Sequence, residues 1–228
     1  MQILALETST DAGSCALWQD GQLLSASCPA GRPHSETLIP LVQQMLAEVG
    51  SGFACLDAIA FGMGPGAFTG LRVACGIAQG MAVALDLPLL PVGSLETMAW
   101  EAGGQRVVSL LDARMGEVYW GLCERHADEG IVLLEAPGLL LPDAVPLPPG
   151  EDWQIVGNAL QAYPALGSRL AAWDCQPQIL PQARSVAELG ALALARGEAL
   201  DPALAAPRYV RNKVARTTAE RLADGGRP

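Results

Sequence analysis

The sequence predicts an α/β fold of two related lobes, residues 1–102 and 103–228, each a mixed sheet flanked by helices. Three observations carry this. Short apolar runs of strand length alternate with longer stretches of helical periodicity. Glycine and proline, 25 and 17 of the 228 residues, punctuate the chain between them. The order that opens the chain (apolar run, acid, turn, strand, strand) also recurs in its second half with negligible identity, the mark of a degenerate duplication.

In the first lobe, Ile3–Leu6 is an apolar run ending at Glu7. The turn TSTDAG leads to a strand at Ser14–Trp18, and Asp20–Gly21 turns the chain into another at Gln22–Ser27. Leu38, Leu41, Val42, Met45, Leu46 and Val49 fall at i, i+3, i+4, i+7, i+8 and i+11, one face of a helix that starts at Ser35 and is ended by Gly50. Pro40 fits that helix only in its first turn, where a missing N–H has no partner to lose. Leu56–Phe61 is a buried strand, FGMGPGAFTGLR (Phe61–Arg72) a glycine loop, and Thr69–Leu85 a helix. A strand at Leu89–Val92 follows, and Ser94 is placed to cap a helix over Leu95–Ala102.

In the second lobe Val107–Leu111 ends at Asp112, ARMGE turns the chain into Val118–Cys123, and Ile131–Glu135 makes a third strand. Leu141–Trp153 is a proline-rich surface loop and Trp153–Val156 a short strand. Ser185–Arg196 is an amphipathic helix with Ser185 and Glu188 in capping-box positions. This last helical segment is expected to pack back on the first lobe.

Composition narrows the function. Half the residues are hydrophobic and 17% are charged, as in packed globular chains. A net charge of −10 and a pI near 4.6 argue against a nucleic-acid grip by this chain alone. The one basic concentration, Pro207–Arg221, reads as a solvated tail, with an auxiliary RNA contact as the alternative. Six scattered cysteines and two histidines give no zinc-ligand spacing, and a reducing cytoplasm suits the thiols. MQILALETST lacks a basic n-region and carries Glu7, so it is not a signal peptide. Val73–Leu90, interrupted by Gln79, Asp86 and Pro88, reads as a buried helix, and no membrane association is expected.

Chemistry is sparse. The glycine loop formally contains G-x-G-x-x-A at Gly62, Gly64 and Ala67. It follows a meander and a helix instead of opening its domain, and Pro65 removes an N–H from the cradle. Close packing is the stronger reading. Gly76 and Gly80, set among alanines in the next helix, suit the near approach of another helix. Glu7 and Asp112 end equivalent strands: across a cleft they would hold magnesium or water, and separately they would each cap a turn. His34 opens the first long helix, but the residue four positions on is Leu38, which denies it a metal-binding partner; His126 lies in a polar turn.

The blocks ILALETST (Ile3–Thr10), HSETLIPLV (His34–Val42), GMGPGAFTGLRVACGIAQG (Gly62–Gly80), DARMGEVYW (Asp112–Trp120) and PRYVR (Pro207–Arg211) resemble the TsaB family of bacterial tRNA threonylcarbamoyladenosine biosynthesis proteins. The resemblance covers nearly the whole chain. It implies the actin-like ATPase (ribonuclease-H-like) fold. It also implies a non-catalytic partner of the paralogue TsaD, which acts with the ATPase TsaE. That complex transfers threonylcarbamoyl from its adenylate to the adenosine beside the anticodon of tRNAs reading codons that begin with A.

On this resemblance His34, Leu38, Leu41, Val42 and Met45 of the first helix are expected to line the interface. Phe68, Leu71, Arg72, Ala74 and Gly76 of the glycine-lined helix are expected to complete it. The chain alone is expected to form a homodimer, to bind no cofactor, and to meet tRNA only indirectly, with ATP and metal held by partner subunits. Against the paralogue's pattern, Leu38 replaces a second histidine, Glu7 replaces an aspartate, and the phosphate-side glycines of the second lobe are not recognisable. Two other readings stand beside this one. An independent ATPase or small-molecule kinase would rest on the Glu7/Asp112 pair, and a metalloprotease would need a metal site.

Overall fold

The computed structural model describes residues 1–211. In the first lobe, β1 (Gln2–Glu7), β2 (Ser14–Gln19) and β3 (Gln22–Ser27) form an antiparallel meander. The helix α1 (His34–Glu48) leads to β4 (Ala58–Gly64), α2 (Phe68–Leu85) to β5 (Leu89–Gly93), and α3 (Ser94–Ala102) closes the lobe. In the second, β6 (Arg106–Asp112), β7 (Val118–His126) and β8 (Gly130–Leu133) repeat the meander, with β9 (Gly138–Leu140) also on β7. Then come β10 (Gln154–Val156), α4 (Ala159–Ala162), α5 (Pro164–Leu170), β11 (Asp174–Gln176) and α6 (Ala183–Ala195).

The sheet orders are β3-β2-β1-β4-β5 and β8-β7-β6-β10-β11. β4 and β5 run parallel to β1, as β10 and β11 do to β6. The duplication expected from sequence is therefore a duplication of topology, with Glu7 and Asp112 at equivalent strand ends.

Every residue of β1 is buried, because both faces of the first sheet are covered. On the outer face Leu4, Leu6, Ile59 and Phe61 pack against α1 and α2. On the inner face small residues dominate: Ala5, Ala16, Ala58 and Ala60. Over them lies α6, the last described helix of the second lobe. Its Gly190 stands where an added Cβ would come within 2.9 Å of the Ala60 Cβ. Reciprocally, α3 of the first lobe covers β6, β7 and β8. A third cluster, with Trp120, Trp153 and Leu166, fills the space beneath α4 and α5.

Local details depart from the sequence reading. Pro40 is the seventh residue of α1, beyond its first turn; Glu36, whose carbonyl loses its i+4 donor, is solvent-exposed, as is Pro40 itself. Ser94 does not cap α3: its hydroxyl is buried without a partner, and Gly93 holds the N-cap position. Ser185 and Glu188 form no capping box. Gln182 is the N-cap of α6, Ser185 Oγ donates to Glu101 (2.7 Å), and Glu188 accepts from Trp100 Nε1 (2.8 Å). Both side chains tie α6 to α3.

The close approach of α6 is testable. Gly190→Val forces two methyl groups against Ala60 and Leu90 and is expected to cost about 1–3 kcal/mol, read from urea unfolding.

Candidate functional site

The glycine loop meets its own chain. Gly62 lies against the Glu7 carboxylate, Gly66 against Ser9, and Gly70 against the Thr8 carbonyl; none has room for a Cβ. Thr8 Oγ1 donates to the Gly70 carbonyl (2.7 Å), and the Ala67 N–H donates to the Ser9 carbonyl (2.7 Å). Gly64 has φ +104°, a value that glycine supplies without strain. The occupant of this cradle is the ETST turn after β1, not a phosphate and not another molecule.

That packing disposes of the carboxylate pair. Glu7 is buried; one oxygen accepts from the Ser9 N–H (2.5 Å), and the other has no partner. Asp112 instead borders a cleft of about 410 Å³ between the lobes, which Glu7 does not line. It accepts from Tyr163 Oη (2.8 Å) and from the Arg114 N–H (2.9 Å). Burial first, then this bond to Asp112, pushes the Tyr163 phenol up to about 12, so it stays a donor. Among the described residues no three His, Cys, Asp or Glu side chains converge as metal ligands. The cationic group lining the cleft is Arg114, which is bound across it to Asp11 (2.8 Å). A triphosphate entering there would meet an occupied guanidinium and two carboxylates, Asp11 and Asp112.

The ten expected interface residues divide. Leu38, Val42 and Met45 are buried under α1, and Leu71 and Ala74 under α2, all turned toward the first sheet. A stripe of apolar residues on a helix beside a sheet is spent on that sheet. His34 is half-buried: its Nε2 is 3.1 Å from the Thr10 carbonyl, and its Nδ1 faces Gly13, so it braces the ETST loop. Leu41 and Phe68 are half-exposed, while Arg72 and Gly76 are exposed.

The outward face of α2 is the unusual surface. Gly76 and Gly80 are exposed, and among the described residues a Cβ on either would meet nothing within 4 Å. Around them lie half-exposed Val73, Ile77 and Met81 and exposed Val83. Arg72 is the one charge in 18 residues. Among the described residues this is the one helix long and apolar enough to cross a membrane, but its inner face lies on β4 and β1. Helical glycines each cost about 1 kcal/mol relative to alanine, and no contact among the described residues compensates at Gly76 and Gly80.

Periodicity did not reveal one further element. Ala205–Arg211 crosses from lobe to lobe as a strap. The Arg208 N–H donates to the Met63 carbonyl (2.7 Å), and its guanidinium pairs with Glu96 (3.0 Å). Tyr209 stacks at 5.3 Å on Phe68 and accepts from Arg72 Nε (3.1 Å). Arg211 pairs with Glu117 of the second lobe (2.6 Å) and donates to the Arg114 carbonyl. The motif PRYVR was the available signal; the acids that answer its arginines were not identifiable from spacing.

Two lobes of one strand order, with a cleft at the carboxyl ends of their central strands, define an actin-like ATPase-type fold. Residues 29–138 match the family model described as TsaD, tRNA N6-adenosine threonylcarbamoyltransferase. The tRNA threonylcarbamoyladenosine biosynthesis protein TsaB of Escherichia coli is 38% identical, over 94% of this chain and 96% of that protein. TsaB of Bacillus subtilis is 35% identical over 54% of this chain and 55% of its own. YeaZ from Pseudomonas aeruginosa, a solved structure, matches with a TM-score of 0.82 at 37% identity, over 91% of this chain and 99% of that one. The chain belongs to the TsaB family.

Glu7 gives a pH prediction. Burial raises its carboxyl above the ordinary value, and the bonds from Ser9 offset this only in part. The folded state therefore holds the proton longer than the unfolded one. The resulting stability is greatest in acid and is lost as pH climbs from the unfolded value toward the raised folded one. Glu7→Gln is expected to be more stable than the parent at pH 8, with the gap closing as pH falls into the ordinary carboxylate range. Urea unfolding at pH 8 and in that range checks it.

Proposed function

We propose that this protein is a non-catalytic activating subunit of the complex that transfers threonylcarbamoyl from its adenylate to the adenosine beside the anticodon of tRNAs reading codons that begin with A. The observation that carries the reading is the outward face of α2, where two glycines keep a nearly chargeless helix surface open to close approach. Its partner is the paralogous transferase TsaD, which presents a helix of its own; in its absence the same face pairs two copies of this chain. The ATPase TsaE completes the assembly, ATP and metal reside on the partner subunits, and tRNA is met through them. The setting is the cytoplasm.

The cleft chemistry supports this over an independent ATPase or small-molecule kinase. Glu7 is sealed away from the cleft and Arg114 is already paired. Titration of the isolated chain with magnesium and ATP in a calorimeter is expected to show no micromolar binding; such binding would favour the kinase reading.

Gly76→Ala separates stability from docking. The added methyl meets nothing among the described residues, so the isolated protein is expected to gain about 0.5–1 kcal/mol while its affinity for the paralogue falls. Gly80→Arg is expected to leave the monomer folded, abolish co-purification with the paralogue, and abolish tRNA modification in a reconstituted reaction. Retained co-purification would remove the basis of the proposal.

A further inference from the structure

β3 is the outer strand of the first sheet, and its free edge is a row of backbone groups. Its register with β2 runs without a bulge from Ser14–Ser27 to Gln19–Gln22. The Cys28 N–H donates to the Gly13 carbonyl (2.7 Å), one step beyond that ladder, and this fixes the alternation. Gln22, Leu24 and Ala26 bond to β2, so Leu23, Ser25 and Ser27 turn both N–H and C=O outward. All three residues are exposed, and among the described residues nothing hydrogen-bonds to those outward groups.

Sheet edges are guarded by charge, proline, bulges or cover, because an open edge pairs with whatever strand it meets. The other edges of this fold follow that rule. β5 carries Pro91 and exchanges backbone bonds with Leu200 in both directions (3.1 and 2.8 Å). β8, β9 and β11 are three or four residues long, and β11 bears Asp174. β3, QLLSAS, has six residues, no charge and no proline. In a chain of net charge −10, such an edge is a place where two copies approach without repulsion. The edge is also complementary to itself. A twofold axis at Ser25 sets two antiparallel strands with Ser25 opposite the partner's Ser25 and Leu23 opposite the partner's Ser27. The charges nearest in sequence are opposite in sign, Asp20 before β3 and Arg32 after it. The reversal brings the Asp20 end of one copy to the Arg32 end of the other.

We infer that β3 is a self-pairing edge, through which two copies of this chain join their first sheets into one continuous sheet. This contact is separate from the outward face of α2 and does not depend on it. An edge of this length buries little surface, so the dimer is weak and forms with rising concentration.

The test uses the full chain carrying Gly80→Arg, which removes self-association through α2, with sedimentation and amide hydrogen exchange followed over a concentration series. A dimer is expected to grow with concentration. The Leu23, Ser25 and Ser27 amides are expected to slow with it, while those of Leu24 and Ala26 stay protected throughout. Ser25→Pro takes away an outward N–H and none of the bonds to β2, so it is expected to weaken self-association about tenfold or more with the sheet intact. Because Ser25 meets itself across the axis, Ser25→Lys and Ser25→Glu are each expected to be monomeric, and their equimolar mixture to dimerise. Absence of a dimer, or a dimer in which the three outward amides exchange as fast as in the monomer, overturns the inference. Protection of those amides at every concentration assigns the edge to a segment of its own chain and overturns the second copy as its occupant. Lys and Glu variants that dimerise singly as well as mixed overturn the register.

Discussion

The structure depends on the close seating of α6 and α3 between the two sheets. Each lobe sends its last described α-helix to cover the other lobe's sheet, so neither sheet has a complete core without the opposite half of the chain. The floor under α6 is made of alanines, and Gly190 removes the last side chain that would hold the helix away. Small residues at such a contact contribute little area each, but they let backbone and sheet approach until many contacts form together. Ser185–Glu101 and Trp100–Glu188 then fix the two helices to one another. Cut at its midpoint, the chain would yield two sheets each lacking a helix.

That arrangement decides where function resides. With the inner faces of both sheets sealed, the remaining surfaces are the cleft at the strand ends and the outer helices. The cleft lies at the carboxyl ends of the central strands, but its charged groups are already engaged: Arg114 with Asp11, and Asp112 with Tyr163. The outer helices are asymmetric. The second lobe has short helices over a tryptophan-rich core, whereas the first has two long ones, of which α2 presents glycine and small apolar residues to solvent.

Much of this was legible in the sequence, for identifiable reasons. The five strands of the first lobe and the meander of the second are runs long enough for β-branched and apolar residues to stand out, and the repeated acid after the first strand exposed the duplication. Strands β9 and β11 and helix α4, three or four residues each, are too short to show a period. The capping predictions at Ser185 and Glu188 failed because tertiary partners outcompeted the local ones, whereas the Ser94 hydroxyl is buried with no partner at all. Leu38, Val42, Met45, Leu71 and Ala74, expected at an interface, are buried within the chain for a single cause: periodicity shows that a helix has an apolar face without showing what covers it. On α1 that face is the core, and on α2 the opposite, glycine-bearing face is the exposed one. The seating of α3 on the second lobe's sheet was invisible for the same reason.

The strap has a mechanical consequence. Arg208 is held by Glu96 in one lobe and Arg211 by Glu117 in the other. Three peptide units separate their Cα atoms, and fully extended they reach roughly 10 Å. A tether that short converts any wide separation of the lobes into tension on an ion pair, one of them around a carboxylate that burial has already made reluctant to ionise. Relatives of this architecture that turn over nucleotide need a cleft that breathes with each cycle. In this chain the gap is bridged by a short leash that resists its widening.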